Sequence, residues 1–175
     1  MEDIIYLDLK YFIIDVDGTM TDGSLYYDNY GNEMKSFSTK DAAGIWAAQQ
    51  ANIKIVILTG RECFATTRRM RELNVNYIFQ NVKDKYKFLK EFILENRIEK
   101  SEIGYIGDDL NDFSSMLLTG YIACPADSCQ EIKEIANYIS SQNGGHGAVR
   151  DIIEHYLREN KQWKNAISCV YNMGI

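Results

Sequence analysis

The sequence predicts a three-layer, Rossmann-like α/β fold, in which helices cover both faces of an open and mostly parallel sheet. Two observations carry this prediction. Short apolar runs typical of buried strands alternate with helical patterns along almost the whole chain. Acidic or hydroxyl side chains directly follow several of these runs, at Asp15, Thr59 and Asp108. Because ligands of such sheets bind beyond the carboxyl ends of the strands, we expect these side chains to converge on one site.

The predicted elements follow one another in a regular order. The first strand is an uncharged, β-branched and aromatic run at 11–14 that ends at Asp15. Residues 22–38 are rich in Tyr, Gly, Asn and Ser and predict a β-hairpin flap. Further strands are predicted at 53–58, at 75–79, from residue 102 up to the pair Asp108 and Asp109, at 121–124 and at 138–140. Helices are predicted at 40–50, 62–73, 83–96, 128–136 and 148–159.

Length and charge limit the possible partners. The chain has 175 residues and a formal net charge of -6. This length suits one domain, which we place at 1–160, with a C-terminal tail at 161–175. The negative charge argues against nucleic acid and anionic membrane surfaces, which favour basic patches. The apolar runs are shorter than the roughly 20 residues that span a bilayer, and we find no secretion signal. We therefore expect a cytoplasmic protein.

The first acidic pair points to a metal site. Asp15 and Asp17 alternate with Val16, so both carboxylates lean to one side of an extended backbone. Two neighbouring negative charges at the end of an apolar strand are unfavourable unless a cation compensates them. A divalent cation with oxygen ligands is the usual solution. The alternative is a solvated acidic turn, because Asp-Gly is also common turn chemistry.

Phosphoryl transfer accounts for the acidic residues together. Asp15 is the candidate nucleophile, and Asp17 the candidate acid and base for the leaving oxygen and the attacking water. Mg²⁺ suits these oxygen ligands, with Asp108 as a further protein ligand. Asp109 and Asp112 are expected to hold the metal's waters or neighbouring groups. Alternatively, these two residues are ordinary charges at a helix N-terminus.

Phosphate binding needs donors as well as a metal. Thr59 offers a hydroxyl group, and Gly60 an accessible backbone N–H at the start of a helix. A lysine is expected opposite the metal. Lys85 is the candidate, with Lys83 and Lys87 as rivals, although Lys85 could also be a solvated helix lysine.

Four motifs resemble, in order, those of the haloacid dehalogenase superfamily of phosphatases. They are Asp-Val-Asp-Gly-Thr at 15–19, Leu-Thr-Gly-Arg at 58–61, Lys-Asp-Lys at 83–85 and Gly-Asp-Asp-Leu-Asn-Asp at 107–112. Four further segments resemble the subgroup that hydrolyses 3-deoxy-D-manno-octulosonate (KDO) 8-phosphate and related nonulosonate 9-phosphates. These segments are 22–27, 31–37, 41–45 and 144–150. The resemblance covers about residues 8–158.

The resemblance implies a role for each motif residue. Asp15 is the nucleophile, Asp17 the acid and base as well as a metal ligand through its backbone carbonyl, and Asp108 a metal ligand. Thr59 and Lys85 contact the phosphate. It also implies a fold without a cap domain, since only a hairpin and a helix separate the first two motifs.

The resemblance further implies a homotetramer in which a neighbouring subunit helps to close each site. Arg69 is then expected to hold the substrate's carboxylate, for which a guanidinium fork is suited. Arg61 follows the phosphate-binding Thr-Gly, is expected to bind substrate and mildly favours the octulosonate branch. Alternatively, Arg69 belongs to an ordinary basic helix face. The flap tyrosines at 26, 27 and 30 could pack within the hairpin, but their number on one flap favours the subunit interface.

The sequence departs from the family pattern at two places, and two functions other than a phosphatase are possible. Asn81 replaces the family's usual glycine, although asparagine tolerates left-handed backbone. The tail at 161–175 matches no family motif and could affect substrate choice.

The first rival function is a weakly active or non-catalytic tetramerisation domain associated with an acylneuraminate cytidylyltransferase. The second is a phosphorelay receiver, which would not need Asp17.

Overall fold

A computed structural model of the chain describes residues 8–174. Its main sheet has six parallel strands in the order β5-β4-β1-β6-β7-β8, and β2 and β3 form a separate antiparallel hairpin. The strands are β1 (Tyr11–Ile14), β2 (Tyr26–Tyr27), β3 (Glu33–Met34), β4 (Lys54–Leu58), β5 (Tyr77–Phe79), β6 (Ile103–Ile106), β7 (Tyr121–Cys124) and β8 (Tyr138–Ile139).

Seven α-helices are described. They are α1 (Lys40–Gln50), α2 (Phe64–Glu72), α3 (Lys85–Asn96), α4 (Leu110–Met116), α5 (Gln130–Ile135), α6 (Ala148–Glu159) and α7 (Trp163–Tyr171), with a 3₁₀ turn at Lys100–Glu102. None of the helices between residues 8 and 174 is long and apolar enough to cross a membrane.

The central strand β1 divides the core into two parts. Alternate side chains of a strand point to opposite faces of the sheet. Phe12 and Ile14 accordingly pack in one hydrophobic cluster, with residues of α1, α2, α6 and α7. Tyr11 and Ile13 pack in the other, with residues of α3, α4 and α5. The sheet is therefore covered by helices on both faces, and the predicted three-layer α/β fold is confirmed.

The strand order positions the functional site. From β1 the chain runs outward to β4 and β5, then returns to the other side of β1 and continues through β6, β7 and β8. Ile14 pairs with Ile57 of β4 and with Ile106 of β6, so the loops that follow all three strands emerge at the same edge. The order of strands reverses between β1 and β6, which is where open α/β sheets bind ligands.

The hairpin is shorter than the sequence pattern suggests. Only Tyr26–Tyr27 and Glu33–Met34 pair, whereas we expect strands over most of 24–37. The tyrosines and Met34 are exposed, so little apolar burial supports a longer ladder in this chain. The hairpin and its flanking loops lie between β1 and α1, and the described residues of this segment contain no additional domain.

Residues 161–174, predicted to form a C-terminal tail, contain the helix α7. Trp163 and Ala166 are buried in the same cluster as Phe12 and Ile14. The helix packs against α1 and α6. This segment therefore contributes to the hydrophobic core. The outer ends of the predicted boundaries, residues 1–7 and 175, lie outside the described part of the chain.

Candidate active site

Asp15 and Lys85 form the centre of the site. Asp15 directly follows β1 and is only 2% exposed. Lys85 is the first residue of α3, which begins there because the Asp84 side chain caps it by accepting a hydrogen bond from the Lys87 backbone N–H. The Lys85 ammonium group donates hydrogen bonds to Asp15 Oδ1 and Asp112 Oδ1, both at 2.7 Å. The structure thus places Lys85, and neither Lys83 nor Lys87, beside the candidate nucleophile.

Two further carboxylates come from the loop after β6 and from α4. Asp108 Oδ1 accepts a hydrogen bond of 3.0 Å from the Thr19 hydroxyl. Asp112 is fully buried, and its Oδ1 accepts a second hydrogen bond, of 2.6 Å, from the Tyr105 hydroxyl. Its other oxygen, Oδ2, has no hydrogen-bond partner among residues 8–174. A buried carboxylate oxygen without a partner is unfavourable unless another group binds it.

This arrangement fits a divalent cation. One oxygen each from Asp15, Asp108 and Asp112 lies within 4.8 Å of the others. Burial, and then the neighbouring Asp112, raise the pKa of Asp15 well above its usual value and that of Asp108 to about 6. Burial by itself would lower the pKa of Lys85, but the two carboxylates outweigh it and raise this pKa. One ammonium group, hydrogen-bonded to Asp15 and Asp112, therefore lies beside three clustered carboxylates, and a bound cation would stabilise their ionised forms.

Asp17 lies at the edge of this cluster and faces the flap. Its Oδ1 pairs with the ammonium group of Lys35, which follows β3. Its Oδ2 is 3.4 Å from the Thr59 hydroxyl. The Asp17 side chain is not one of the three clustered carboxylates, and its role in proton transfer stays a prediction. A metal contact through its backbone carbonyl, as the resemblance implies, stays a prediction.

Gly18 lets the first loop approach Asp108. Its φ of +92° is rarely adopted by residues with a side chain. A Cβ atom at this position would lie 2.0 Å from Asp108 Oδ2. The Asp-x-Asp-Gly sequence therefore needs its glycine in order to bring the loops after β1 and β6 together.

The two predicted arginines have different surroundings. Arg61 donates to Glu33 Oε2 at 2.7 Å and to the Tyr27 hydroxyl at 3.0 Å, and so contacts the flap. Arg69 lies on α2 and donates to Glu72 at 3.4 Å. Its Nε atom is buried without a hydrogen-bond partner in the part of the chain that the structure describes. The structure does not bring Arg69 into contact with the cluster around Asp15.

The remaining candidates are Gly60, Asp109 and Asn81. The Gly60 backbone carbonyl accepts a hydrogen bond of 2.6 Å from Lys83. Asp109 is exposed and caps α4 by accepting a hydrogen bond from the Leu110 backbone N–H, which matches the alternative of a helix-terminal charge. Asn81 adopts the left-handed φ of 58°, the conformation that an asparagine in place of glycine can provide.

The family is decided by comparison with known proteins. A sequence profile of the haloacid dehalogenase-like hydrolases matches residues 12–82 and 77–153. The chain belongs to this family. Among curated members, this hydrolase is 32% identical over 149 residues to the KDO 8-phosphate phosphatase KdsC of Yersinia pestis, covering 85% of this chain and 80% of the relative. It is 31% identical to KdsC of Escherichia coli K12, with 85% and 79% covered.

Solved structures of the family are similar over almost the whole hydrolase. The KDO 8-phosphate phosphatase of Moraxella catarrhalis, in complex with a magnesium ion, a phosphate ion and KDO, superposes with a TM-score of 0.89 at 33% identity, covering 94% of this chain and 95% of the other. The cobalt-bound enzyme of Haemophilus influenzae gives a TM-score of 0.83 at 29% identity, with 89% and 91% covered. These similarities confirm the predicted enzyme class: the hydrolase is a phosphatase.

Three residues of the hydrolase site were not identified from the sequence. Tyr105 stands inside an apolar strand, where a tyrosine is typical of core packing. Lys35 and Glu33 lie in the segment Gly-Asn-Glu-Met-Lys-Ser-Phe, which contributes to the resemblance without assigning either residue a role. Their spacing of two residues, near a turn, was the available signal: it places both side chains on one side of an extended strand.

Proposed function

We propose that this phosphatase removes the terminal phosphate of a keto-deoxy sugar acid, with KDO 8-phosphate as the first candidate and nonulosonate 9-phosphates as the alternative. The observation that carries the proposal is the buried cluster of Asp15, Lys85, Asp108 and Asp112 at the edge of the sheet. The substrate is supported by the similarity to KDO 8-phosphate phosphatases over 85% of the chain.

Asp15 is the nucleophile in this proposal. Its oxygen attacks phosphorus and the bond to the sugar oxygen breaks, giving an aspartyl-phosphate that water then hydrolyses. The nucleophile must be ionised, although burial raises the pKa of Asp15. Lys85, at 2.7 Å, stabilises the carboxylate and is close enough to contact the transferred phosphoryl group.

Mg²⁺ is the proposed cofactor, held by Asp15, Asp108 and, through its backbone carbonyl, Asp17. The unpartnered oxygen of Asp112 supports a role for this residue at the same ion. When bound, the ion would neutralise negative charge on the phosphoryl oxygens. The magnesium and cobalt ions in the structures of two relatives support this assignment.

Asp17 is the proposed proton donor and acceptor. Its carboxylate is two residues from Asp15 but turned toward the flap, where a leaving sugar would lie. Asp17 protonates the sugar oxygen as the bond breaks, and then accepts a proton from the attacking water. Thr59 and Gly60 are the proposed phosphate donors, and Arg61 and Arg69 the proposed ligands of the sugar acid.

Phosphate release tests the proposed substrate directly. Purified protein with Mg²⁺ is given KDO 8-phosphate, a nonulosonate 9-phosphate and simple sugar phosphates. We expect KDO 8-phosphate to give the highest kcat/KM, and Asp15→Asn, which removes the nucleophile with little change in shape, to release no phosphate. A rate no higher than that of Asp15→Asn on every substrate would leave the rival function, a tetramerisation domain associated with a cytidylyltransferase.

Hydroxylamine trapping tests the covalent intermediate. Solvent labelling cannot distinguish the two routes, because attack of H₂¹⁸O on the phosphorus of an aspartyl-phosphate and direct attack on the substrate both put one ¹⁸O atom into the phosphate. The intermediate itself must therefore be trapped. We expect hydroxylamine to convert Asp15 to a hydroxamate only during turnover, as measured by peptide mass spectrometry.

We propose that the flap takes part in a homotetramer. The exposed apolar side chains of the flap and the start of α2 support this proposal: Tyr26, Tyr27, Tyr30, Met34 and Phe64 are 47%, 58%, 92%, 52% and 78% exposed. Such a concentration of aromatic side chains is typical of an interface. Light scattering should give four times the chain mass, and an active monomer would contradict the shared site. A cytoplasmic location, and the absence of nucleic-acid and membrane partners, stay predictions.

A further inference from the structure

Lys35, which follows β3, places a buried ammonium group at the active site. The Lys35 side chain is only 1% exposed. Its ammonium group pairs with Asp17 Oδ1 and lies 3.1 Å from Glu33 Oε1. A buried ammonium group is stable only when it is paired, so these two carboxylates determine where Lys35 lies.

Glu33 extends the contact to the other side of the site. Its side chain is 13% exposed, and its Oε2 accepts a hydrogen bond of 2.7 Å from Arg61. Arg61 follows Thr59 and Gly60, the proposed phosphate donors. Asp17, Lys35, Glu33 and Arg61 therefore form a row of alternating charges, which we call the flap network. It runs from the loop after β1, across the flap, to the loop after β4.

The flap has few other means of holding its position. Its two strands pair over only two residues each, and an isolated short hairpin is marginally stable in water. Outside the hairpin, where Glu33 pairs with Tyr27, its backbone carbonyl also accepts a weak hydrogen bond of 3.5 Å from the Cys63 thiol. The flap network is therefore the main polar attachment of β3 to the catalytic loops.

We propose that Lys35 and Glu33 are positioning residues of the reaction: Lys35 orients the carboxylate of Asp17 toward the leaving oxygen, and Glu33 orients Arg61 toward the sugar acid. This inference rests on the proposed function. Its physical basis is that proton transfer needs a carboxylate held at hydrogen-bond distance from the leaving oxygen, in a fixed orientation. Because Lys35 and Glu33 also contact each other, the flap fixes the position of the Asp17 carboxylate relative to the Arg61 guanidinium group.

The leaving group provides the test for Lys35. The alkoxide of a sugar needs a proton as it leaves, whereas p-nitrophenolate leaves without one. For Lys35→Met we expect kcat/KM to fall about 100-fold with KDO 8-phosphate, and less than about tenfold with p-nitrophenyl phosphate. Lys35→Arg keeps the cation and should recover most of the loss. Lys10→Met removes a lysine from the exposed pair with Glu102 and should change neither value.

Glu33→Gln tests the second half of the proposal, that Glu33 orients Arg61. Because Glu33→Gln removes the carboxylate that pairs with Arg61, KM for KDO 8-phosphate should rise about tenfold. KM for p-nitrophenyl phosphate, which has no carboxylate, should stay constant. An equal loss of kcat/KM on both substrates in Lys35→Met, or equal KM changes on both in Glu33→Gln, would mean a purely structural role and overturn the proposal.

The wild-type rates keep this test separate from the proposed function. If the wild type prefers another alkyl phosphate, the proposed substrate is wrong, and the same ratio is measured with that compound. If it hydrolyses no phosphate ester, the proposed function is wrong. Amide hydrogen exchange then tests whether the flap network positions the flap. Faster exchange at residues 26–35 in Lys35→Met, restored in Lys35→Arg, would support positioning of the flap, and unchanged exchange would overturn it.

Discussion

Lys85 shows how a single residue links folding to chemistry. It is one of the least exposed polar side chains in the described chain, at 4%, and is held between Asp15 and Asp112. Its position depends on helix α3 starting at this residue, directly after the Asp84 cap. The lysine compensates two buried carboxylates and is the proposed contact of the phosphoryl group.

Lys85→Met should lower kcat/KM by at least about 100-fold, because it removes the cation that stabilises the Asp15 carboxylate and the transferred phosphoryl group. The measurement is phosphate release at saturating Mg²⁺. Lys87→Met changes an exposed lysine of the same helix and should remain within twofold of the wild type. Similar losses in both variants would contradict the assignment of Lys85.

Gly18→Ala should abolish most activity by separating Asp108 from Asp15. The new methyl group would overlap Asp108 Oδ2, at 2.0 Å, and the backbone has φ of +92°. Gly31→Ala is the matched control, because its φ is +83° but nothing lies within 4 Å of the added Cβ. Both substitutions should cost about 1 kcal/mol of unfolding free energy through backbone strain. Only Gly18→Ala should lose activity, measured as kcat and as the Mg²⁺ concentration for half-maximal rate.

At the scale of elements, helix α7 shows that the C-terminal segment stabilises the fold. The Trp163 ring is 3% exposed, and the guanidinium group of Arg150 lies 4.5 Å from its centroid. The ring therefore contacts the hydrophobic core on one side and a helix α6 cation on another.

Trp163→Ala should lower the free energy of unfolding by about 3–5 kcal/mol, because it leaves a cavity in the core. Urea unfolding followed by circular dichroism measures the change. Lys164→Ala, at the neighbouring exposed position, should stay within about 0.5 kcal/mol. If both variants unfold like the wild type, α7 is not part of the cooperative unit.

The elements differ in how far the sequence predicts them. Strands β1, β4 and β6 are predictable because their residues are apolar and β-branched and end at polar residues. Helix α4 has only seven residues and begins in the acidic motif, so its polar start obscures it. The site is predictable where residues follow strand ends, as Asp15, Thr59 and Asp108 do. The contacts of Lys35 depend on how the flap folds back, which no local pattern determines.

At the scale of the whole molecule, buried carboxylates make stability depend on pH and metal. Burial raises the pKa of Asp108 and of Asp41 to about 6, from the ordinary 3.8. Between these values the folded chain binds more protons than the unfolded chain. The stability that these groups contribute is therefore fully present below about pH 4 and is lost as the pH rises through 6.

The metal-free protein should accordingly lose stability, through these carboxylates, as the pH rises from 4 to 7. Mg²⁺ binds the ionised cluster and should raise Tm more at pH 7.5 than at pH 5. Scanning calorimetry with EDTA or with Mg²⁺ measures both effects. Asp108→Asn should remove most of the Mg²⁺ effect, whereas Asp41→Asn should only flatten the pH dependence. An equal Mg²⁺ effect at both pH values would argue against binding by this cluster.

The central place of β1 also has a consequence for synthesis on the ribosome. This strand is made first, but its neighbours in the sheet come from residues 54–58 and 103–106. Asp15 acquires its lysine only when residue 85 has emerged, and its two partner carboxylates only after residues 108 and 112. A nascent chain that has left the exit tunnel only as far as β5 therefore carries an acidic loop without a catalytic centre. Phosphatase activity should consequently appear late in synthesis, and abruptly, once β6 joins the sheet.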